Sequence, residues 1–166
     1  MQTTLRPTLR PPVNLVARRA IGYWTLRALP VWLVLTAAQI IWWASDPSNT
    51  GWHLSVLVVV SIIGIAYLIV MPQWRYRVHR WETTDQAVYT QTGWFTQERR
   101  IAPINRIQTV DMHRGPFERL FRLGNVTVTT ASAAGPIHIH GLDLDVAQHL
   151  VDNLTTITQA SEGDAT

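Results

Sequence analysis

Two long apolar runs dominate the hydrophobic pattern of the N-terminal half of the chain. The first covers residues 28–44 and contains no charge, and the second covers residues 54–71 and is equally free of charge. A helix that crosses the hydrocarbon core of a bilayer needs ~20 such residues, with ~17–25 tolerated. The pattern therefore predicts a hairpin of two membrane-spanning helices, at about 24–44 and 54–72, within a membrane unit that covers 23–72.

Two alternative structures for these runs compete with membrane insertion. A pair of buried core helices would need more surrounding protein than a chain of 166 residues supplies. A cleavable signal peptide could account for the first run alone. That run is long for a signal peptide, carries Trp42 where a small residue is expected before Ala44, and is followed by a second span.

Arginine sets the expected direction of the hairpin. The connection at 45–53 carries no arginine, and Pro72 is expected to end the second helix because proline lacks an N–H donor. The arginines near the spans lie at the other ends, at Arg18, Arg19, Arg27, Arg75, Arg77 and Arg80. By the positive-inside rule these residues set the topology and face headgroups, which predicts a multi-pass protein of the bacterial cytoplasmic membrane with both termini in the cytoplasm.

After the second run the pattern changes to a period of two, which is typical of strands that are buried on one face. We expect strands over 75–79, 87–93, 94–101, 105–113, 125–130 and 137–142, with the second and third of them forming a hairpin. Within the fourth of these, Ile107 and Val110 are three residues apart, which predicts a β-bulge between them.

A helical period returns twice in this half of the chain. Gly115 and Pro116 open a short helical turn, and apolar residues three and four apart over 144–157 predict an amphipathic C-terminal helix with Asp143 or Asp145 as its N-cap. The order of elements predicts a mainly-β, α+β domain. We expect this domain at 73–158, after a basic cytoplasmic segment at 1–22 and before a flexible tail at 159–166.

The segment 102–135 resembles the signature of the bacterial PH-like domain of small membrane proteins. The likeness covers about 22–157, and Arg122 departs from it because the family often has glycine there. The matching residues are Pro103, Arg106, Ile107, Val110, Arg119, Leu120, Leu123, Gly124, Val126, Val128, Thr130 and Ala131. The resemblance implies two transmembrane helices followed by a PH-like split β-barrel that is capped by the C-terminal helix.

The short helical turn suggests a way to close such a barrel. We expect its apolar side chains to plug the open end, with Arg119 and Arg122 facing solvent or headgroups. The side chains of this expected plug are Phe117, Leu120, Phe121 and Leu123.

The sequence offers little to catalysis. It contains no cysteine, no phosphate-cradling glycine loop and no nucleophile elbow. His138 and His140 share a strand face, but no third ligand has a recognisable metal-site spacing. We therefore expect no enzyme activity, no cofactor and no metal.

The arginines of the domain are the better candidates for binding. Those that we expect to face a partner or a lipid are Arg99, Arg100, Arg106, Arg114, Arg119 and Arg122. Two functions fit them. The first is a membrane-anchored module that assembles protein partners, which include other membrane proteins with PH-like domains or further copies of this chain. The alternative is a sensor of anionic lipid headgroups, and the acidic C-terminal helix argues against nucleic acid.

Overall fold

The structure, a computed structural model, describes residues 11–93, 96–132 and 135–163. Two single turns of 3-10 helix occur at Pro47–Asn49 and Ile104–Arg106. The other elements, in chain order, are β1 (Asn14–Leu15), α1 (Arg19–Ser45), α2 (Thr50–Val78), β2 (Arg80–Thr83), β3 (Ala87–Thr92), β4 (Glu98–Pro103), β5 (Ile107–His113), α3 (Pro116–Leu120), β6 (Leu123–Thr130), β7 (Ile137–Asp143) and α4 (Leu144–Gly163).

The helices α1 and α2 form a long hairpin whose outer surface is apolar. Each is long and apolar enough to cross a membrane, and only 6% of the most apolar window of each is buried inside the protein. Between them, the rings of Trp32 and Tyr67 lie 5.6 Å apart, and Gly64 leaves room for the Trp32 ring. The protein therefore leaves most of this apolar surface to be covered by another environment.

The second helix does not end at Pro72. It continues through that residue to Val78, so the expected helix end at Pro72 and the expected strand over 75–79 are both wrong. Proline removes one helical hydrogen bond, but the last turns of α2 gain tertiary packing. Val78 is buried, and the Arg75 guanidinium stacks on the Trp24 ring.

The strands form two antiparallel sheets, ordered β1-β2-β3-β4 and β5-β6-β7. The predicted bulge is confirmed, since the register of β5 against β6 shifts between Ile107 and Thr109. The strand expected over 94–101 is observed at Glu98–Pro103, and residues 94–95 lie outside the described ranges, as do residues 133–134 of the turn before β7.

The strand β1 was not expected in the basic N-terminal segment. Asn14 pairs with Trp81 and Leu15 pairs with Arg80, which places β1 at the edge of the four-stranded sheet. A strand of two residues is too short to show alternation, so its sequence carries no signal.

One core lies between the sheets and α4. Val126 and Val128 of β6 are fully buried, and they pack with Ala147, Leu150 and Leu154 of α4. The spacing of these three α4 residues matches the predicted amphipathic pattern, and Asp143 directly precedes the helix. A closed split barrel, with α4 as its cap, goes beyond two sheets and a packed helix and stays a prediction.

A second core joins the β-domain to the beginning of α1. Its fully buried members include Ala20 and Leu123, with Tyr23 and Trp24 almost as well covered. The backbone N–H of Ala17 also donates to the Gly141 carbonyl of β7 at 2.8 Å. The domain is thus packed directly against the hairpin rather than linked to it by a flexible segment.

The short helix α3 forms where it was expected but packs differently. Leu123 is fully buried and Phe121 is half-buried, whereas Phe117 is 54% exposed and Leu120 is 71% exposed. The expected plug is therefore wrong for Phe117 and Leu120. Helix α3 turns its Glu118 and Phe121 side toward α1, which leaves the neighbouring side uncovered.

Candidate functional site

A cavity of about 370 Å³ lies where the end of α2 meets the two sheets. We call it the polar cleft. Its lining residues come from α2 and the residue after it, from β3 and β4, and from β7: Met71, Arg75, His79, Thr90, Thr92, Gly93, Glu98, Arg100, His138 and His140. The cleft therefore gathers two arginines, three histidines and one carboxylate from four separate parts of the chain.

The helical wall of the cleft is held in place by Trp24. The Arg75 Cζ lies 4.8 Å from the centre of the Trp24 ring, and the His79 ring lies 5.4 Å from it. His79 Nδ1 is 2.8 Å from the Arg75 carbonyl oxygen, so Nδ1 carries the proton and donates. This bond fixes the ring and leaves Nε2 as the nitrogen that can accept or, once protonated, donate.

The sheet wall carries the second arginine. Arg100 donates through Nη1 to the Pro136 carbonyl at 2.6 Å, and its Nε lies 3.3 Å from Glu98 Oε1. Its neighbour Arg99 donates instead to Gln91 Oε1 at 2.9 Å. Adjacent strand residues point to opposite faces, so only Arg100 reaches the cleft.

Two stacked histidines form the remaining wall. The rings of His138 and His140 lie 5.8 Å apart at an angle of 14°, on the exposed face of β7. His138 Nδ1 is 3.1 Å from the Thr127 hydroxyl. Ile137 and Ile139 point to the core, as the alternation predicts.

Two histidines of the cleft, His79 and His140, favour the neutral state. Burial, with the nearby positive charge of Arg75, lowers the pKa of His79 to about 4. Desolvation by the cleft walls, then His138 and Arg75, lowers the pKa of His140 as well. At neutral pH the fixed charges of the cleft are therefore two arginines and one glutamate, beside neutral imidazoles at 79 and 140.

The described residues contain no group of three or more His, Cys, Asp or Glu residues placed to hold a metal ion. Near neutral pH the arrangement offers cationic and N–H donors, which suit an oxyanion such as phosphate.

The arginines expected to face a ligand scatter over the domain. Arg100 alone of them lines the polar cleft, and Arg114 is used structurally, since its Nε donates to the Leu123 carbonyl at 2.9 Å. Arg106, Arg119 and Arg122 are exposed on other surfaces.

The arginines assigned to topology also divide. Arg75 enters the cleft, and Arg27 donates to the Tyr23 hydroxyl at 3.1 Å. The remaining four, Arg18, Arg19, Arg77 and Arg80, lie at the ends of α1, α2 and β2 outside the cleft.

Comparison with known proteins places the chain in a family. A model of the bacterial PH domain matches residues 16–156. The chain belongs to the bacterial PH domain family. It is 26% identical over 160 residues to the UPF0699 transmembrane protein YdbS of Bacillus subtilis (strain 168), an alignment that covers 92% of this chain and 97% of that relative. No solved structure matches the chain.

The match and the two apolar helices make this a membrane protein with a bacterial PH domain. Within the PH domain, sequence reasoning missed five cleft residues, which are His79, Thr90, Thr92, Gly93 and Glu98. His79 follows the second apolar run closely, which is the one signal that could have marked it. The threonines of β3 alternate like any strand residues and carry no such signal.

Proposed function

We propose that this protein is a membrane-anchored binding module of the inner leaflet, with both termini in the cytoplasm. Its PH domain binds the phosphate-bearing headgroup of an anionic lipid in the polar cleft. The observation that carries this proposal is the meeting of Arg75 and Arg100 in one cleft at the point where α2 leaves its apolar run.

The position of the cleft along α2 supports a lipid as the ligand. Met71 closes the uncharged run and lines the cleft, and Arg75 lies one helical turn further on. A headgroup that belongs to a lipid beside α2 would reach the cleft without leaving the leaflet. If α2 spans the membrane, Met71 lies at the boundary of the hydrocarbon core and Arg75 lies among the headgroups.

The charges of the cleft suit phosphate. The planar guanidinium group binds phosphate oxygens with two parallel hydrogen bonds, and Arg75 and Arg100 both reach the cavity. Glu98 offsets part of this positive charge, but its side chain is 65% exposed and lies beside Arg100 in the lining of the cleft. The net field of the cleft favours an anion, and screening by salt should weaken binding.

The fold changes the balance between the two functions that the sequence allows. Partner assembly is favoured from the sequence because no dense basic cluster stands in one stretch of it. Arg75 and Arg100 belong to α2 and β4, and only tertiary folding gathers them with the histidines of β7. This cluster supports headgroup binding as the first candidate.

The test uses the full-length protein in mild detergent, with native mass spectrometry to count bound lipid. We expect phosphatidylglycerol to bind in preference to zwitterionic phosphatidylcholine, and we expect Arg75→Gln with Arg100→Gln to lose at least tenfold in affinity. The matched control, Arg99→Gln with Arg106→Gln, removes the same charge from exposed sites outside the cleft.

Two results would count against headgroup binding. One is equal binding of both lipids, and the other is equal loss in the cleft and control variants. Since Arg75 also packs on Trp24, Arg100→Gln alone serves as the variant that spares this contact, and thermal melting checks that each variant is folded.

Partner assembly stays a second candidate because of one sheet edge. β4 ends the four-stranded sheet, and among the described residues it pairs with β3 alone. An unpaired edge can receive an extended strand from another protein. Ile101 on β4 is 37% exposed, so the edge is accessible.

A photocrosslinker at Ile101 tests this edge in native membranes, with the exposed α4 residue Thr156 as the matched control. Strand addition predicts a protein adduct at Ile101 and none at Thr156. Equal adducts, or none at Ile101, would remove the edge as an assembly site.

A further inference from the structure

Two apolar side chains on α3 lie open on the surface of the protein. Phe117 is 54% exposed and Leu120 is 71% exposed. They are three residues apart in a helix, so they share one face. We call Phe117 and Leu120 the exposed pair.

Contacts along α1 fix the level of α3 relative to the membrane. Arg122 shares a small surface depression with Arg19, and Phe121 lies so close to Gly22 that a Cβ there would come within 3.0 Å of its ring. Helix α3 therefore rises beside α1 toward its apolar run.

The next contact in this series is a hydrogen bond. Tyr23 donates its hydroxyl proton to Glu118 Oε1 at 2.8 Å, and the same hydroxyl oxygen accepts from Arg27 Nη1 at 3.1 Å. Arg27 is the last charge before the apolar run of α1. Through the Tyr23 hydroxyl, Glu118 of the PH domain is thus linked to Arg27 at the edge of the span.

Distances along α1 give the depth. At ~1.5 Å per residue, Gly22 and Tyr23 lie roughly 6–8 Å outside Arg27 along the helix axis. The polar interface of a leaflet is about 5–8 Å thick, and Tyr and Trp concentrate there. Tyr23 and Trp24 thus place α3 at the level of the headgroups.

Two sides of α3 are already covered. Glu118 and Phe121 face α1, and Glu118 also accepts a hydrogen bond from Asn125 Nδ2 of β6 at 3.2 Å. The exposed pair lies on the adjoining side, away from both of these contacts. At this depth the open side is surrounded by lipid.

We propose that α3 lies in the interface of the inner leaflet and inserts Phe117 and Leu120 at the boundary between headgroups and acyl chains. The partner of this surface is the lipid bilayer itself. Arg119, which stands between the two and is exposed, contacts anionic headgroups. This contact is separate from the polar cleft and would hold the PH domain against the leaflet whether or not the cleft is filled.

The absence of cysteine from the sequence allows a direct test. Single cysteines replace Phe117 or Leu120 in the full-length protein, which is reconstituted in vesicles of phosphatidylethanolamine and phosphatidylglycerol. A spin label on each reports collisions with oxygen, which concentrates in the acyl region, and with a water-soluble nickel chelate. Thr156→Cys on the exposed side of α4 is the control.

We expect oxygen to dominate at 117 and 120 and nickel to dominate at 156. Nickel dominance at both α3 positions, equal to that at 156, would overturn the proposal. A second result would also overturn the proposal. If neither oxygen nor nickel reaches the labels in native membranes, while nickel reaches them in the lipid vesicles, a protein partner covers the exposed pair in the cell. Both sites are exposed, so unchanged thermal melts are expected and serve as the folding control.

Discussion

Arg122 has a backbone conformation that its side chain disfavours. Its φ angle is +54°, and it is the one non-glycine residue with positive φ among those the structure describes. Left-handed backbone costs a residue with a Cβ about 1 kcal/mol or more, and glycine avoids this cost. The family that the sequence resembles often has glycine at this position, so the turn after α3 keeps the glycine geometry without the glycine.

Replacing Arg122 by glycine should therefore not harm the fold. We expect Arg122→Gly to leave the free energy of unfolding unchanged or to raise it by about 1 kcal/mol, because relief of strain offsets the added chain entropy. Arg119→Gly is the control. Because Arg119 lies within helix α3, this change should lower the free energy of unfolding by ~1 kcal/mol. Thermal melting in detergent measures both. A drop for Arg122→Gly as large as that of the control would contradict the strain argument.

His79 should make the protein sensitive to acid. Its pKa is about 4 in the fold, against about 6.5 for a free histidine, so the unfolded chain takes up the proton first as the pH falls. The contribution of His79 to the free energy of unfolding is therefore fully present above about pH 6.5 and decreases as the pH falls from there to about 4. The total decrease is roughly 3 kcal/mol at most. His79→Asn should remove this part of the slope when melting is followed across that pH range.

Anionic lipid should oppose this acid loss. A phosphate in the polar cleft favours protonated His79 and His140, so it raises both pKa values and narrows the gap to the unfolded chain. Melts between about pH 7 and 4 in phosphatidylglycerol should fall less steeply than melts in phosphatidylcholine. If the melting temperature depends on pH identically in the two lipids, no bound headgroup interacts with these histidines.

At the scale of elements, the contact between α1 and β7 decides how the PH domain sits on its anchor. Gly141 has a φ of +74°, and a Cβ there would come within 3.0 Å of the Ala20 Cβ. Its carbonyl also accepts from Ala17 N at 2.8 Å. Glycine therefore allows the helix and the strand to approach closely.

We expect Gly141→Ala to destabilise the protein more than Gly135→Ala does. Gly135 has a similar φ of +77°, but nothing lies within 4 Å of its Cβ position. Backbone strain is thus matched, and the difference isolates the crowding against Ala20, which we expect at about 1–3 kcal/mol. Equal melting temperatures for Gly141→Ala and Gly135→Ala would show that Gly141 and Ala20 are not closely packed.

The elements differ in how far the sequence could predict them. Alternation and helical spacing found β5, β7 and α4, because each buries one face over several residues. The strand β3 was also predicted, although its burial does not alternate. The continuation of α2 beyond Pro72 could not be predicted, because it depends on packing against Trp24. The exposure of Leu120 could not either, since apolar spacing in one turn does not say which surface it meets.

The candidate site was harder to predict than the fold. In the sequence Arg75 indicates topology and Arg100 is one of several strand arginines, and nothing in their spacing joins them. They meet because α2 ends beside the gap between β3 and β7. Sites assembled from distant segments by tertiary contacts leave no local pattern to read.

At the scale of the whole molecule, the hairpin decides which side of the membrane each part occupies. Cysteine at exposed Asn49, in the turn between the helices, should react with an impermeant thiol reagent on intact cells. Cysteine at exposed Thr156 should react only after the cells are opened, because the positive-inside rule predicts that the arginine-flanked ends of both spans face the cytoplasm. The reverse labelling would invert the topology and move the polar cleft to the other leaflet.

The pairing of β1 with β2 has a consequence for biosynthesis. Asn14 and Trp81 are neighbours in one sheet, yet the whole hairpin is made between them. The strand β1 cannot pair with β2 until both apolar helices have been synthesised. Leu123 is buried against Ala20 and Trp24 of α1. Synthesis of both apolar helices therefore comes before completion of the domain, and such long-range closure slows folding. A fragment that starts after α2 would lack one strand and five of the six buried residues of its second core, so α1 and the segment before it belong to the folding unit of the PH domain.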